Sequence, residues 1–238
     1  MLINLRNALM AGKRLPYDAE VEYLEGTGTQ WIDTGISPVD GMEVSLRFSL
    51  TALVSGIGAF VFGSEITWSN NAVGLVIRNA GNHAIEYGSV KILNAAPPVV
   101  DSDLDVRITK TGATYGSYSI SYSGEIQGND YPIYIFCSNR AGTVNQLGLK
   151  FKLYKFQIEK AGTLCCDLIP VRFTNELGQS EGAMYDRANP TVGMNPDGSA
   201  RTDGLYRNRG TGAFLIGPDV PAANYAIDKA RFNLPDAT

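Results

Sequence analysis

The chain has 238 residues, a formal net charge of −4, three cysteines and a single histidine. That length allows one large all-β domain or two small ones, and as one domain it buries enough surface for a core without staples. The arginines and lysines are scattered and form no stripe, which speaks against a nucleic-acid partner, and one histidine excludes a His-paired metal site within one chain.

Leu2, Leu5 and Leu9 recur at helical spacing, with Ile3 and Met10 beside them. This predicts a short amphipathic helix over Leu2–Gly12, ended by the glycine. A helix of this length is marginal alone, so its apolar stripe needs the body or another chain. No basic region followed by an apolar run opens the chain, and no stretch reaches membrane-spanning length. Synthesis in a host cytoplasm without an export signal, and no membrane insertion, are therefore expected.

The body begins with Val21 and Tyr23 alternating against Glu20 and Glu22. A turn at Gly26–Gly28 leads to a strand over Thr29–Gly35. Val44, Leu46 and Phe48 mark the next strand. Ala59–Ser64 and Ala72–Asn79 are short strands around a polar loop, Glu65–Asn71. His83–Gly88 follows the turn Ala80-Gly81-Asn82. Leu104, Val106 and Ile108 alternate, as do Tyr118, Ile120 and Tyr122, with Thr111–Gly116 read as the turn between them. Tyr131–Cys137 is apolar on both parities, which suits a central strand covered on both faces.

The stretch Leu147–Arg172 gives the clearest pattern. Leu147, Leu149, Phe151 and Leu153 share one parity; Tyr154, Phe156 and Ile158 then share the other. One added residue re-aims the two faces, so a β-bulge is expected near Leu153–Tyr154. Lys160–Thr163 reads as a tight turn, and the chain returns through Leu164, Cys166 and Leu168 to stop at Pro170. Cys165 and Cys166 point to opposite faces of that strand, and with Cys137 they are expected as free thiols rather than a disulfide framework.

Beyond it, Thr174–Gly182 reads as a loop and Ala183–Asp186 as a short strand. Arg187–Gly204 is an irregular insertion. Two brief strands near Leu205–Arg207 and Ala213–Ile216 close the body. Pro218–Thr238 is a tail, with one short helix around Ala222–Ala230. About a dozen short strands at this spacing predict an all-β, two-sheet antiparallel jelly-roll sandwich. It spans residues 18–217, with an N-terminal arm over 1–17 and a tail over 218–238; two small β domains are the alternative.

Several phrases carry a resemblance. Val21–Gly35 reads VEYLEGTGTQWIDTG, followed by Phe62-Gly63-Ser64, Tyr87-Gly88-Ser89, Leu153–Ile158, Asp167–Arg172 and Asn208–Phe214, which reads NRGTGAF. In these the chain resembles the concanavalin A-like, laminin-G-like jelly rolls of phage and prophage structural proteins, over roughly Asp18 to Pro218. That family often reads EYLESTGTQYIDTG at the first phrase, so Gly26 and Trp31 depart from it. Cys166 stands where an arginine is common, and the insertion after Asp186 is a further departure. The resemblance implies the sandwich fold and a phage context; the fold itself hosts many functions.

Related jelly rolls include laminarinase-type glycan hydrolases, which place carboxylates at alternating strand positions so that an acid and a nucleophile face one cleft. Asp101, Asp103 and Asp105 would share a face opposite Leu104 and Val106 if the strand begins at Asp101. They follow Pro97-Pro98, and the hydrolases' Glu-x-Asp-x-x-Glu pattern is absent. A solvated strand entrance is the reading, with calcium binding as the alternative. Glu20 and Glu22 suit an exposed strand edge. His83 reads as an ordinary strand residue, since no Gly-x-Ser-x-Gly elbow accompanies it. Gly210-Thr211-Gly212 leads into a strand and lacks the Lys-Ser/Thr of a phosphate loop. No catalytic residue, metal ligand or cofactor motif is assigned.

A pyranose offers its flat CH face to tryptophan or tyrosine on a loop. Trp68 in the polar loop and Tyr115 in its hairpin turn are the candidate carbohydrate-binding residues. Tyr118 and Tyr122 read as core, and Trp31 as core or edge packing. The expectation is a non-enzymatic virion structural protein, associated with capsid, tail or fibre and binding host-surface glycans. Leu2, Leu5, Leu9, Tyr225 and Phe232 would contact other virion proteins or copies of the chain. A glycan-acting hydrolase of the same fold and a bacterial surface lectin are the alternatives.

Overall fold

The computed structural model describes residues 15–52, 58–67, 71–78, 83–93, 99–145, 147–189 and 202–221. The expected helix at Leu2–Gly12, the turn Ala80–Asn82, Trp68, the middle of the insertion after Asp186 and the tail from Ala222 lie outside them.

Within them every regular element is a strand. The chain opens with β1 (Ala19–Glu20), β2 (Leu24–Gly26) and β3 (Ile32–Asp33), then the long β4 (Met42–Leu50). β5 (Ala59–Glu65), β6 (Ala72–Ile77), β7 (His83–Gly88) and β8 (Val90–Leu93) form a meander. β9 (Asp103–Thr109), β10 (Gly112–Tyr115) and β11 (Tyr118–Ser121) form a second one. β12 (Tyr134–Ile135), β13 (Ser138–Arg140) and β14 (Thr143–Asn145) are short. β15 (Phe151–Lys160), β16 (Thr163–Thr174) and β17 (Ser180–Asp186) are long, and β18 (Leu205–Tyr206) and β19 (Leu215–Ile216) close the body.

These strands make two sheets packed face to face. The larger runs β11-β10-β9-β4-β15-β16-β17-β18, and the smaller runs β14-β13-β5-β6-β7-β8. The pairings are antiparallel except that of β13 with β5, which is parallel. One core cluster draws on both sheets. Phe62 of the smaller sheet meets Phe156 of the larger edge to face, with ring centroids 5.3 Å apart. Each such fully buried ring contributes about 1.5–3 kcal/mol.

β15 is the strand on which the larger sheet turns. Its whole length pairs with β4. On the other side its first residues pair with β2 and its later ones with β16. The predicted bulge sits at this change of partner: Leu153 opposes Phe48 and Lys155 opposes Arg47, leaving Tyr154 extra. Leu153 and Phe156 face the core, so Tyr154 and Lys155 both face outward. Tyr154 therefore does not share the core face with Phe156 and Ile158, as the alternation alone suggested. The hairpin closes on Ala161 at φ 48° and Gly162 at φ 73°, the two positive angles of a type I′ turn.

Other elements differ from the sequence reading. β16 does not stop at Pro170 but runs to Thr174. Its neighbour changes there from β15 to β1, and only the carbonyl of Pro170 is needed, to accept from the Val21 N–H. Tyr131–Cys137 is not one strand. Phe136 takes φ 72° and breaks it, and its ring stacks on Phe151 at 4.4 Å between the sheets. That interlayer position explains the apolar run. Thr111–Gly116 is not a turn, because β10 fills it. Tyr118 is half exposed on the edge strand β11 rather than core. Leu147 is exposed, and the strand begins at Phe151. Of Thr29–Gly35 only Ile32–Asp33 is strand.

The outer side of β16–β18 carries a second apolar cluster of Ile169, Val171, Phe173, Ala183, Tyr185 and Leu205. Tyr17 covers it, 7% exposed, with its ring 5.0 Å from that of Tyr185. The root of the N-terminal arm thus docks on its own sandwich. The root of the tail lies beside it: Val21 bridges Asp219, and the Val220 N–H donates to Glu20.

Candidate functional site

The two phrases with the clearest family likeness meet in space as a clasp. Thr29 Oγ1 donates to the Thr211 carbonyl at 2.6 Å, and Gln30 Nε2 to that of Ala213 at 2.9 Å. The Trp31 N–H donates to Asn208 Oδ1, and the Arg209 N–H to the Trp31 carbonyl. Arg209 Nη1 reaches Asp33 at 2.6 Å, and its guanidinium lies 5.4 Å above the Trp31 ring. Burial pushes the Asp33 carboxyl above its ordinary value, although the Gly35 N–H and Arg209 oppose the shift. Trp31 also packs on Tyr134, 4.5 Å between centroids. These residues close the sandwich and are occupied with one another, so the motif reads as architecture.

The open chemistry lies on the outer face of the larger sheet. Cross-strand register aligns Thr114, Arg107, Ser45, Gln157 and Asp167 across β10, β9, β4, β15 and β16. The next row holds Asp105, Arg47 and Lys155. All of these but Asp167 line a shallow depression of about 230 Å³. The inward residues between them, Val44, Leu46, Val106, Phe156 and Ile158, are buried, and this alternation is what places hydrogen-bonding groups in a row outside.

Beside this depression stands an aromatic pair. Tyr23 and Tyr154 meet edge to face at 5.9 Å, both half-buried. Arg47 lies 5.9 Å over the Tyr154 ring, and Lys152 lies 4.6 Å over that of Tyr23. Asp103 accepts from Arg47 at 2.9 Å. Burial raises the Asp103 carboxyl, but Arg47 and the nearby Tyr154 hydroxyl outweigh it and hold it below its ordinary value. The Tyr154 hydroxyl is pushed up to about 12, first by burial and then by Asp103, so it stays a donor at neutral pH. Arg107 pairs with Glu43, and Gln157 donates to Asp167 at 3.0 Å. The face offers two ring surfaces and alternating donors and acceptors, with its charges mostly paired. That suits a hydroxyl-rich ring with one apolar face.

The sequence candidates fall elsewhere. Tyr115 is 2% exposed, stacked on His83 at 3.8 Å, so it cannot meet a sugar from solvent. The strand β10, in place of a turn, carries its ring into the core. Trp68 lies outside the described residues, as do Leu2, Leu5, Leu9, Tyr225 and Phe232. Asp103 and Asp105 share the outer face as expected, but Asp101 precedes the strand at φ 56° and does not join them. His83 is a fully buried strand residue.

No family model matches the chain, and no curated protein matches it. Among solved structures it is similar to the CBM40 of Ruminococcus gnavus IT-sialidase. The identity is 17% and the TM-score 0.42, over 58% of this chain and 89% of that one. The same module bound to α2,3 sialyllactose matches at 16% identity, TM-score 0.41, over 56% and 89%. The K499G mutant of NanB sialidase from Streptococcus pneumoniae matches at 11% identity and TM-score 0.42, over 84% of this chain and 39% of that one.

Sequence reasoning missed Tyr23, Arg47, Arg107, Tyr154 and Gln157. The signal that could have found them is the polar parity of β4, β9 and β15 taken together. Three long strands that each bury one face leave three polar rows, which become one surface once β4 is placed between the other two.

Proposed function

We propose that the protein is a non-catalytic sandwich that binds glycans on the outer face of its larger sheet, and that it serves as a virion structural component. The observation that carries the binding is the Tyr23–Tyr154 pair beside the row Arg107, Ser45, Gln157, with Arg47 in the adjoining row 5.9 Å over the Tyr154 ring. Tyrosine faces take the CH side of a pyranose, and the row supplies donors and acceptors to its hydroxyls. A non-enzymatic role is supported by the pairing of Asp103 with Arg47, which holds its carboxyl below the ordinary value and leaves it ill suited as a general acid. The test is a glycan array probed with purified protein, with reducing-sugar release assayed on every hit. Hits without sugar release support the reading; turnover of a bound glycan would overturn the non-catalytic part.

The virion role rests on the sequence phrases Val21–Gly35 and Asn208–Phe214 and on the terminal arms. The two arms have their roots side by side, where Val21 bridges Asp219 and Arg172 holds Asp219 at 2.8 Å. Both therefore leave the sandwich from one place, which suits anchorage to other virion proteins or to copies of the chain. Leu2, Leu5, Leu9, Tyr225 and Phe232 would supply the apolar contacts. Deleting Met1–Arg14 is expected to lower incorporation into particles without unfolding the sandwich. Normal incorporation of the truncated protein would contradict the anchoring role.

A further inference from the structure

The larger sheet ends on β11, and among the described residues that strand pairs only with β10. Residues 116–124 read GSYSISYSG, the same in both directions about Ile120. The Tyr122 N–H donates to the Thr111 carbonyl, on the side of β10. Backbone groups alternate along an antiparallel strand, so Tyr118 and Ile120 also turn theirs toward β10. Ser119 and Ser121 turn their N–H and C=O groups to the open edge. Both serines are exposed. Tyr118 is 50% exposed, although it shares the inward parity of Ile120 and Tyr122, which pack on the core. Open edges are usually guarded by a charge, a proline or a bulge. No charge or proline stands between 116 and 124, and β11 pairs with β10 without a register shift.

We propose that β11 is an interaction edge that pairs antiparallel with β11 of a second copy, about a two-fold axis at Ile120. The palindrome selects the partner. A two-fold axis sets a strand against its own reversed order, so each residue from 116 to 124 meets its own kind. In this register Ser119 opposes Ser121 of the second copy, and their edge-facing N–H and C=O groups bond reciprocally. Ile120 opposes Ile120, and Tyr118 opposes Tyr122. These are the non-hydrogen-bonded pairs, whose side chains approach most closely. The exposed ring of Tyr118 thus gains an aromatic partner, and no like charges face each other. The axis stands perpendicular to the sheet, so the two larger sheets join with their outer faces on one side. Both outer-face sites could then engage one surface together. That consequence rests on the glycan reading; the pairing itself does not.

The test is sedimentation equilibrium of the full chain from ~1 μM to ~1 mM, with residue-resolved amide exchange at both ends of that range. A reversible monomer–dimer equilibrium is expected. The Ser119 and Ser121 amides should become protected only at high concentration, whereas those of Ile120 and Tyr122 are protected throughout. Ile120→Lys sets two like charges face to face only in the dimer and should weaken association at least about tenfold. Ser119→Pro removes an edge donor but no bond to β10, and should weaken it as well. Unfolding curves show whether each variant is folded. Ser119→Pro remains informative if Ile120→Lys is not, and the exchange pattern of the parent decides if neither is. A chain that stays monomeric across the range overturns the proposal. Association that leaves Ser119 and Ser121 unprotected, or that is unchanged in a folded variant, places the contact elsewhere and overturns it too. An empty glycan array would leave this equilibrium untouched.

Discussion

Arg209 donates to Asp33 at 2.6 Å while its guanidinium lies over Trp31, so one side chain ties the late loop to an early strand by charge and by ring contact. Asp33 is nearly buried, and removing its only described ion-pair partner leaves the carboxylate with the Gly35 N–H alone. Arg209→Ala is expected to destabilise the fold by about 3–5 kcal/mol in urea unfolding. The pH dependence follows from the raised carboxyl. Between its ordinary value of 3.8 and its raised value, the folded protein holds more protons than the unfolded one. This contribution is full below the ordinary value and is lost as pH rises through the raised one. Asp33→Asn should flatten that part of the curve, measured as urea midpoints across the acid range.

Gly210 sits where the clasp is tightest. A Cβ there would lie 1.9 Å from the Thr29 carbonyl oxygen, a backbone atom that cannot step aside. Gly210→Ala is expected to cost about 1–3 kcal/mol or to open the clasp. Gly128 is a useful contrast, since its φ is 63° but nothing lies within 4 Å of its Cβ site. Gly128→Ala should cost only the backbone strain, about 1–2 kcal/mol, with the clasp intact. Amide exchange at Trp31 and Arg209 distinguishes the two outcomes.

Phe151 is fully buried and touches Phe48 and Phe136 across both layers. Phe151→Ala should destabilise by about 3–5 kcal/mol. Tyr154→Ala, three residues on but outward, should cost about 1 kcal/mol or less. Thermal unfolding of the pair checks which face each residue serves.

The hairpin of β15 and β16 was legible because its alternation breaks once and resumes, and a bulge is the simplest cause. What the break does not say is which way the extra residue faces. Tyr154 looked like a member of the core set with Phe156, but the bulge puts it outside with Lys155. Gly112 and Gly116 frame a strand as readily as a turn, and because the segment is the strand β10, Tyr115 lies in the core rather than at the surface. Pro170 looked like a stop because it lacks a donor, yet it stands where β16 exchanges neighbours. The candidate site was hidden for a topological reason. Arg107, Ser45 and Gln157 are far apart in sequence and become one row only because β4 lies between β9 and β15.

The most direct measurement is glycan affinity at the outer face. A glycan found on the array should be titrated by calorimetry against the parent protein, Tyr154→Ala and Arg47→Ala. Tyr154 gives a ring face and Arg47 lies over that ring in the row beside Ser45, so each loss should weaken binding at least about tenfold, or about 1.4 kcal/mol. Both variants keep the core intact and should unfold within a few degrees of the parent. Unchanged affinity in both folded variants would contradict the account.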